Sequence, residues 1–428
     1  MILLTVFGIW SICQLLNFVY VDINGYEWSR IMMHNFYEEE DIDCLYLGSS
    51  HVFYGMNPEI MDELNDKNNF NLATSRQRMI GSYYMLLEAL RHHEIETVYL
   101  EMFYAILLAE NDEVAASWWC SDYMKNSAVR WNFVVDAVQQ EQYLETFLPF
   151  VRYRGQLFDE EYIREQLEQK MTKEYREFSY SVECGGGTTV EYMPGGYYYS
   201  DIVLKESELT TRERIKFGDQ QISEESLEYL EKIIQLCKEE NIEIVLYSTP
   251  MYELKLLGLE NYDRYIEQVN MIAEKYGIKY YDFNLVKGEH LSIQDRKYFH
   301  DLHHLNVDGA ELFTRFFYEV MQRTPEENEE YFYSSYIEKM VGEEGKVYGL
   351  LYEKAEDTQF EKWKIASNWS EGMEYRIINS PSNGETTMVQ DFSTEPYILI
   401  PIDGDGIYTI VSRRVDDIDS VSTMEIIY

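Results

Sequence analysis

Asp43-Cys-Leu-Tyr-Leu-Gly-Ser-Ser50 is the stretch on which the fold turns. Its apolar residues run on without alternation and stop at Gly-Ser-Ser, the pattern of a strand buried on both faces that ends in a sharp turn. Reading outward, Phe70-Asn-Leu-Ala73 marks a second strand end, and 82–90 has helical apolar spacing before a third strand at Thr97-Val-Tyr-Leu100. Farther on, Ser223 is placed to cap a helix over 224–239, where Glu224 and Glu225 suit the positive end of the helix dipole. A strand at 242–247, a helix at 262–276, a strand at 279–283 and a helix at 309–322 follow. Strands alternating with helices predict an α/β domain over 41–325. Its form would be a three-layer parallel sheet flanked by helices, with the ligand site outside the carboxyl ends of the strands. Gly48, Ser49, Ser50, Ser75, Glu101 and Ser248 fall at such ends, so one rim is expected to collect them.

Two regions break the alternation. Residues 107–218 read as an inserted cap, helical and irregular. Its Cys184-Gly-Gly-Gly-Thr-Thr stretch reads as part of a mobile aromatic loop, because a phosphate cradle needs a following Lys-Ser/Thr and a helix start. From 326 an acidic linker gives way to short alternating apolar runs punctuated by turns, which predicts a small β-sandwich-like module over 331–428. Within it, Asp403-Gly-Asp-Gly406 reads as a hairpin turn in preference to a calcium loop, since no further carboxylates stand at the required spacing.

Charge and composition exclude several classes. With 36 basic and 77 acidic residues the net charge is −41, which repels nucleic acid and anionic lipid headgroups alike, and no Lys/Arg cluster makes a local exception. Aromatic residues make up 15% of the 428, enough apolar area to argue against disorder. The 5 Cys are scattered without a C-x-x-C pair, so neither a zinc site nor a disulfide framework is expected, and no metal or cofactor is assigned. Residues 1–21 carry no charge, and a bilayer core needs roughly 20 such residues in a helix. They are expected to be a single-pass membrane anchor, followed by a juxtamembrane linker over 22–40. A signal peptide is the alternative, weakened by the missing basic start and cleavage site.

Three residues suit nucleophilic chemistry. A serine hydroxyl needs a base within hydrogen-bond reach and a group that orients the base. Ser50 follows a strand and Gly48, so its Oγ can stand exposed at the rim. Asp301 and His304 lie three apart just before the last helix, a spacing at which the carboxylate can hold the imidazole; His303 is the rival base. Turn chemistry and helix capping would explain each motif alone, but the pair brackets the whole α/β unit.

These residues resemble the SGNH/GDSL hydrolase superfamily, whose first block is Gly-Asp-Ser after the first strand and whose last is Asp-x-x-His before the final helix. Here Gly48-Ser49-Ser50-His51 carries Ser in the Asp position. That variant is similar to the membrane-anchored members that act beside membrane-bound O-acyltransferases on cell-envelope polymers, the D-alanyl transfer proteins of teichoic acid synthesis among them. Asn71-Leu-Ala-Thr-Ser-Arg-Gln77 resembles the second block with Ala73 for its usual Gly, and Val98-Tyr-Leu-Glu101 stands where the third would supply Asn. The resemblance covers 41–322 apart from the cap and implies a flavodoxin-like strand order. It also implies an extracellular catalytic domain, an acylated polysaccharide or acyl donor as substrate, and a membrane O-acyltransferase as possible partner. The Ser50 N–H and an N–H near Ser75 are expected to line the oxyanion hole; Ala73, Glu101 and His51 are further candidates for that hole or for substrate contact. An ionised Glu101 accepts only, so it cannot replace Asn unless burial keeps it protonated.

The reading is therefore a serine esterase or O-acyltransferase using Ser50, His304 and Asp301. Two rivals remain. One is a non-catalytic accessory that binds glycan or docks on the acyltransferase; the other is a binding protein whose β module does the work.

Overall fold

Cys44–Leu47 forms the strand β1 with all four side chains buried, which is why its sequence shows no polar alternation. The structure, a computed structural model, describes residues 2–22, 27–108, 114–217, 221–354, 359–369, 372–402, 406–419 and 421–428. The Asp403-Gly-Asp turn falls outside them. Helices α1 (Ile2–Tyr20) and α2 (Glu27–Glu38) precede β1, and the short helix α3 (Ser50–Gly55) follows it. Strands β2 (Asn69–Asn71) and β3 (Thr97–Glu101) flank β1, both parallel to it, with Leu45 opposite Phe70 on one side and Val98 on the other. The strand Glu243–Ser248 stands next to β3, its Glu243 N donating to Glu96 O at 2.9 Å. The helix Glu224–Glu240 begins at Ser223, whose Oγ accepts from Ser226 N at 3.1 Å.

The chain divides into two compact units, 1–200 with 222–246 and 201–221 with 247–428. In the first, the C-terminal end of α1 is bonded into the inserted region. Asn17 Oδ1 accepts from Phe150 N at 3.0 Å, Tyr20 OH donates to Leu157 O at 2.9 Å, and Lys170 Nζ donates to Phe18 O at 2.8 Å. Among the described residues no helix is long and apolar enough to cross a membrane. That overturns the single-pass anchor over 1–21 and the cell-membrane placement built on it. The reason is physical: the last turns of α1 carry polar groups whose partners are protein groups, which lipid hydrocarbon does not offer. Residues 22–40, read as a linker, contain α2.

The inserted region is helical up to Arg176 and then forms an antiparallel sheet of β4 (Ser181–Cys184), β5 (Thr188–Met193) and β6 (Tyr197–Ser200). The glycine-rich stretch is the turn of the β4–β5 hairpin, with Cys184 opposite Thr188. Tyr198 of β6 packs among Trp28, Tyr54 and Phe53, with ring centroids 4.4, 4.8 and 5.5 Å away. Just before it, Gly196 has φ +86°, and a Cβ there would lie 2.0 Å from Asn71 O, so only glycine fits.

The second unit holds the strand Lys279–Asp282, the helices Tyr262–Tyr276 and Val307–Met321, and a C-terminal β-rich region. In that region Val347–Glu353, Phe360–Ser367 and Tyr397–Pro401 pair antiparallel, and Thr210–Thr211 adds parallel to the first. A separate antiparallel sheet contains Met373–Ser380, Thr387–Ser393, Ile407–Arg414 and Val421–Ile427. The expected fold, one three-layer parallel sheet with a membrane helix before it and a small β module after it, is thus corrected to a mixed α/β molecule with several sheets, some antiparallel. Periodicity missed the strands of the insertion because β4 is largely exposed and carries no apolar face to read.

Candidate functional site

The turn after β1 is built around a buried carboxylate. Gly48 has φ +154°, and a Cβ there would lie 2.5 Å from Glu101 Cβ. Glu101 Oε2 accepts from both Ser49 N and Ser49 Oγ, each at 2.7 Å. Ser49 in turn caps α3, its Oγ accepting from His51 N at 3.4 Å. His51 is buried; its ring centroid lies 4.0 Å from that of Phe103 and its Nδ1 3.7 Å from Glu101 Oε1. Ser50, the first residue of α3, is half-buried, as is Ser75.

Two amides lock this turn from outside. Gln77 Oε1 accepts from Gly48 N at 3.2 Å while its Nε2 donates to Leu72 O at 3.0 Å. Asn71 Nδ2 donates to Val52 O and Met56 O at 2.9 and 3.3 Å, and its Oδ1 accepts from Ala73 N at 3.2 Å. The Ala73 N–H is thereby engaged, and Glu101 acts as an acceptor, so neither offers a donor to an oxyanion in this arrangement. Sequence reasoning quoted Asn71 and Gln77 within a motif but gave them no role. The signal available was their placement at either end of the loop after β2.

The second group lies in 299–306 of the other unit. A β-bridge between Phe299 and Leu305 closes this loop, with His300 N donating to His304 O at 2.8 Å. Asp301 Oδ1 accepts from His303 N and His304 N at 2.7 and 2.9 Å, and its carboxylate receives His304 Nδ1 at 2.9 Å from the nearer oxygen. The ring that Asp301 holds is that of His304, not His303. An imidazole that donates Nδ1–H to a carboxylate and is neutral presents Nε2 as a proton acceptor. Burial alone would raise the Asp301 pKa, but the bond to His304, the imidazole charge and the two backbone N–H groups hold it well below the usual carboxylate range. Burial, with the Lys255 charge second, pulls His303 down to about 4. Asn306 then caps the next helix: its Oδ1 accepts from Gly309 N at 3.1 Å and its Nδ2 donates to Lys297 O at 2.7 Å.

The structure therefore brings together Ser49, His51 and Glu101 in one unit, and Asp301 with His304 in the other; Ser50 belongs to the first group. Ser248, expected on the same rim, bonds through Oγ to Tyr280 OH at 2.9 Å. Among the described residues no group of three or more His, Cys, Asp or Glu is placed to hold a metal ion. A cavity of about 530 Å³ in the second unit, walled by Tyr262, Tyr336, Trp369 and Tyr375, includes neither Asp301 nor His304. No known protein family model matches this chain, and no curated protein does.

Proposed function

We propose that the protein is a serine-dependent acyl-ester hydrolase or O-acyltransferase. His304 Nε2 takes the Ser50 Oγ proton as Oγ attacks the donor ester carbonyl. The ester C–O bond breaks, and the imidazolium returns the proton to the leaving alkoxide. The acyl group then passes to water or to a glycan hydroxyl by the same steps in reverse. Asp301 orients the ring and stabilises its charged form. The observation that carries the reading is the Asp301–His304 pair, in which two backbone N–H groups and one imidazole converge on a single carboxylate. The reaction requires Ser50 Oγ and His304 Nε2 to come within about 3 Å in the working complex. An acylated polysaccharide as substrate, and a membrane O-acyltransferase as partner, follow from the family resemblance.

A fluorophosphonate probe and a chromogenic acetyl ester test this. Wild type should label and turn over, and Ser50→Ala should do neither. Asp301→Asn should keep the fold and lose roughly 10⁴-fold in rate, the loss seen when an orienting carboxylate becomes an amide. Equal labelling of wild type and Ser50→Ala would overturn the reading. It would then favour a non-catalytic glycan-binding relative, to which one observation already points: Glu101 accepts where an oxyanion hole needs a donor.

A further inference from the structure

In the first unit, at the C-terminal end of α1, lies a cavity of about 390 Å³ whose walls include Gln14, Phe18, Arg30, Asp122, Tyr123 and Lys170. Lys170, the last residue of the helix Glu160–Lys170, is 3% exposed. Its ammonium donates to Phe18 O at 2.8 Å and to Val21 O, and no carboxylate stands within 4.0 Å of it among the described residues. Burial draws its pKa down to about 8; Asp22 opposes that shift and the Arg30 charge adds to it. The Arg30 guanidinium packs over the rings of Tyr175 and Phe178 at 3.8 and 4.4 Å and donates to Tyr175 O at 2.9 Å. Asp122, also in the wall, is gripped by Arg152 with two bonds of 2.5 and 2.7 Å. A buried ammonium without a carboxylate is costly to hold, and an anion in the adjoining cavity offsets that cost.

A second observation concerns α1 itself. At 3.6 residues per turn, Phe7, Trp10, Gln14, Phe18 and Val21 share one face of the helix. Gln14, Phe18 and Val21 line the cavity, while Phe7 and Trp10 are 64% and 51% exposed with ring centroids 5.9 Å apart. An uncovered aromatic strip thus runs on from the mouth of a cationic pocket.

We propose that this cavity binds the phosphate head of a single amphiphile, whose hydrocarbon lies along Phe18, Trp10 and Phe7. A phosphate ester carries about −1.5 to −2 charges and three acceptor oxygens, which suits an ammonium and a guanidinium from different helices. The site is independent of Ser50 and of the Asp301–His304 pair.

Titration calorimetry on the full chain tests it with three probes: dihexanoyl phosphatidic acid below its micelle concentration, neutral dihexanoylglycerol, and inorganic phosphate. Phosphatidic acid should bind at least tenfold more tightly than either of the others. Lys170→Gln should lose tenfold or more, and Lys170→Arg should recover most of it. Because Lys170 also caps α1, Trp10→Ser serves as the variant at an exposed position. It should melt as wild type does, weaken phosphatidic acid severalfold and leave phosphate unchanged. Equal affinity for phosphate and phosphatidic acid would overturn the amphiphile and leave a free-phosphate site. Equal affinity for the neutral lipid, or wild-type binding by Trp10→Ser or by a folded Lys170→Gln, would overturn the proposal outright.

Discussion

The turn after β1 and the loop before the helix Val307–Met321 use one device in two settings. In each, a carboxylate collects backbone and side-chain donors that a turn leaves unpaired. Glu101 is 2% exposed and gathers the N–H and O–H of Ser49; the Asp301 side chain is 41% exposed and gathers two N–H groups and an imidazole. Burial decides what each does. The enclosed carboxylate is held between the Ser49 donors and the His51 ring, so it fixes backbone geometry. The more exposed one leaves its imidazole partner partly open to solvent.

That contrast can be broken by experiment. Glu101→Ala strands two buried donors, each costing about 1–3 kcal/mol, so unfolding by denaturant should show a loss of roughly 2–6 kcal/mol. A loss below about 1 kcal/mol would mean that water replaces the carboxylate and that the turn is not held by it.

The pH dependence of the second loop should come from His303. Its folded pKa of about 4 lies below the ordinary 6.5, so the unfolded chain binds a proton first. Stability should therefore fall as pH drops from about 6.5 to about 4 and level off below, by up to about 3 kcal/mol. In His303→Asn that slope should shrink to the share of His300, whose pKa burial also lowers. Asp301 contributes in the same direction at lower pH: its pKa is depressed, so its stabilisation is present above the ordinary carboxylate range and fades as acid protonates it.

Gly48→Ala sharpens the comparison from the backbone side. A methyl 2.5 Å from Glu101 Cβ at φ +154° should cost about 2 kcal/mol and reduce any Ser50 labelling in parallel. The smallest effect should be Asp301→Ala on stability, about 1 kcal/mol or less because water replaces the carboxylate, even where activity is lost. If Asp301→Ala destabilised as much as Glu101→Ala, the distinction between a structural and a chemical carboxylate would fail.

Some of this was legible in the chain. Cys44–Leu47 reads as a buried strand because four apolar residues in a row need cover on both faces, and Gly48 reads as a turn because only glycine accepts its geometry. Asp301 and His304 are close in sequence, so their bond needs only a local loop. The membrane anchor was misread because an uncharged run looks the same whether its end meets lipid or, as at Asn17 and Tyr20, protein donors and acceptors. The hairpin at 181–193 was misread because its first strand is largely exposed and shows no apolar period.

By itself the sequence determined the interactions that close over a few residues: the strand-turn at 44–50, the Ser223 cap, and the Asp301–His304 pair. Their cost in chain entropy is small, so local residue identity suffices. Tertiary structure alone decided that Glu101 meets Ser49 across 52 positions and that Arg30 and Lys170, far apart in a chain of net charge −41, line one pocket. Such meetings are paid for by packing elsewhere in the fold, and no local pattern records them.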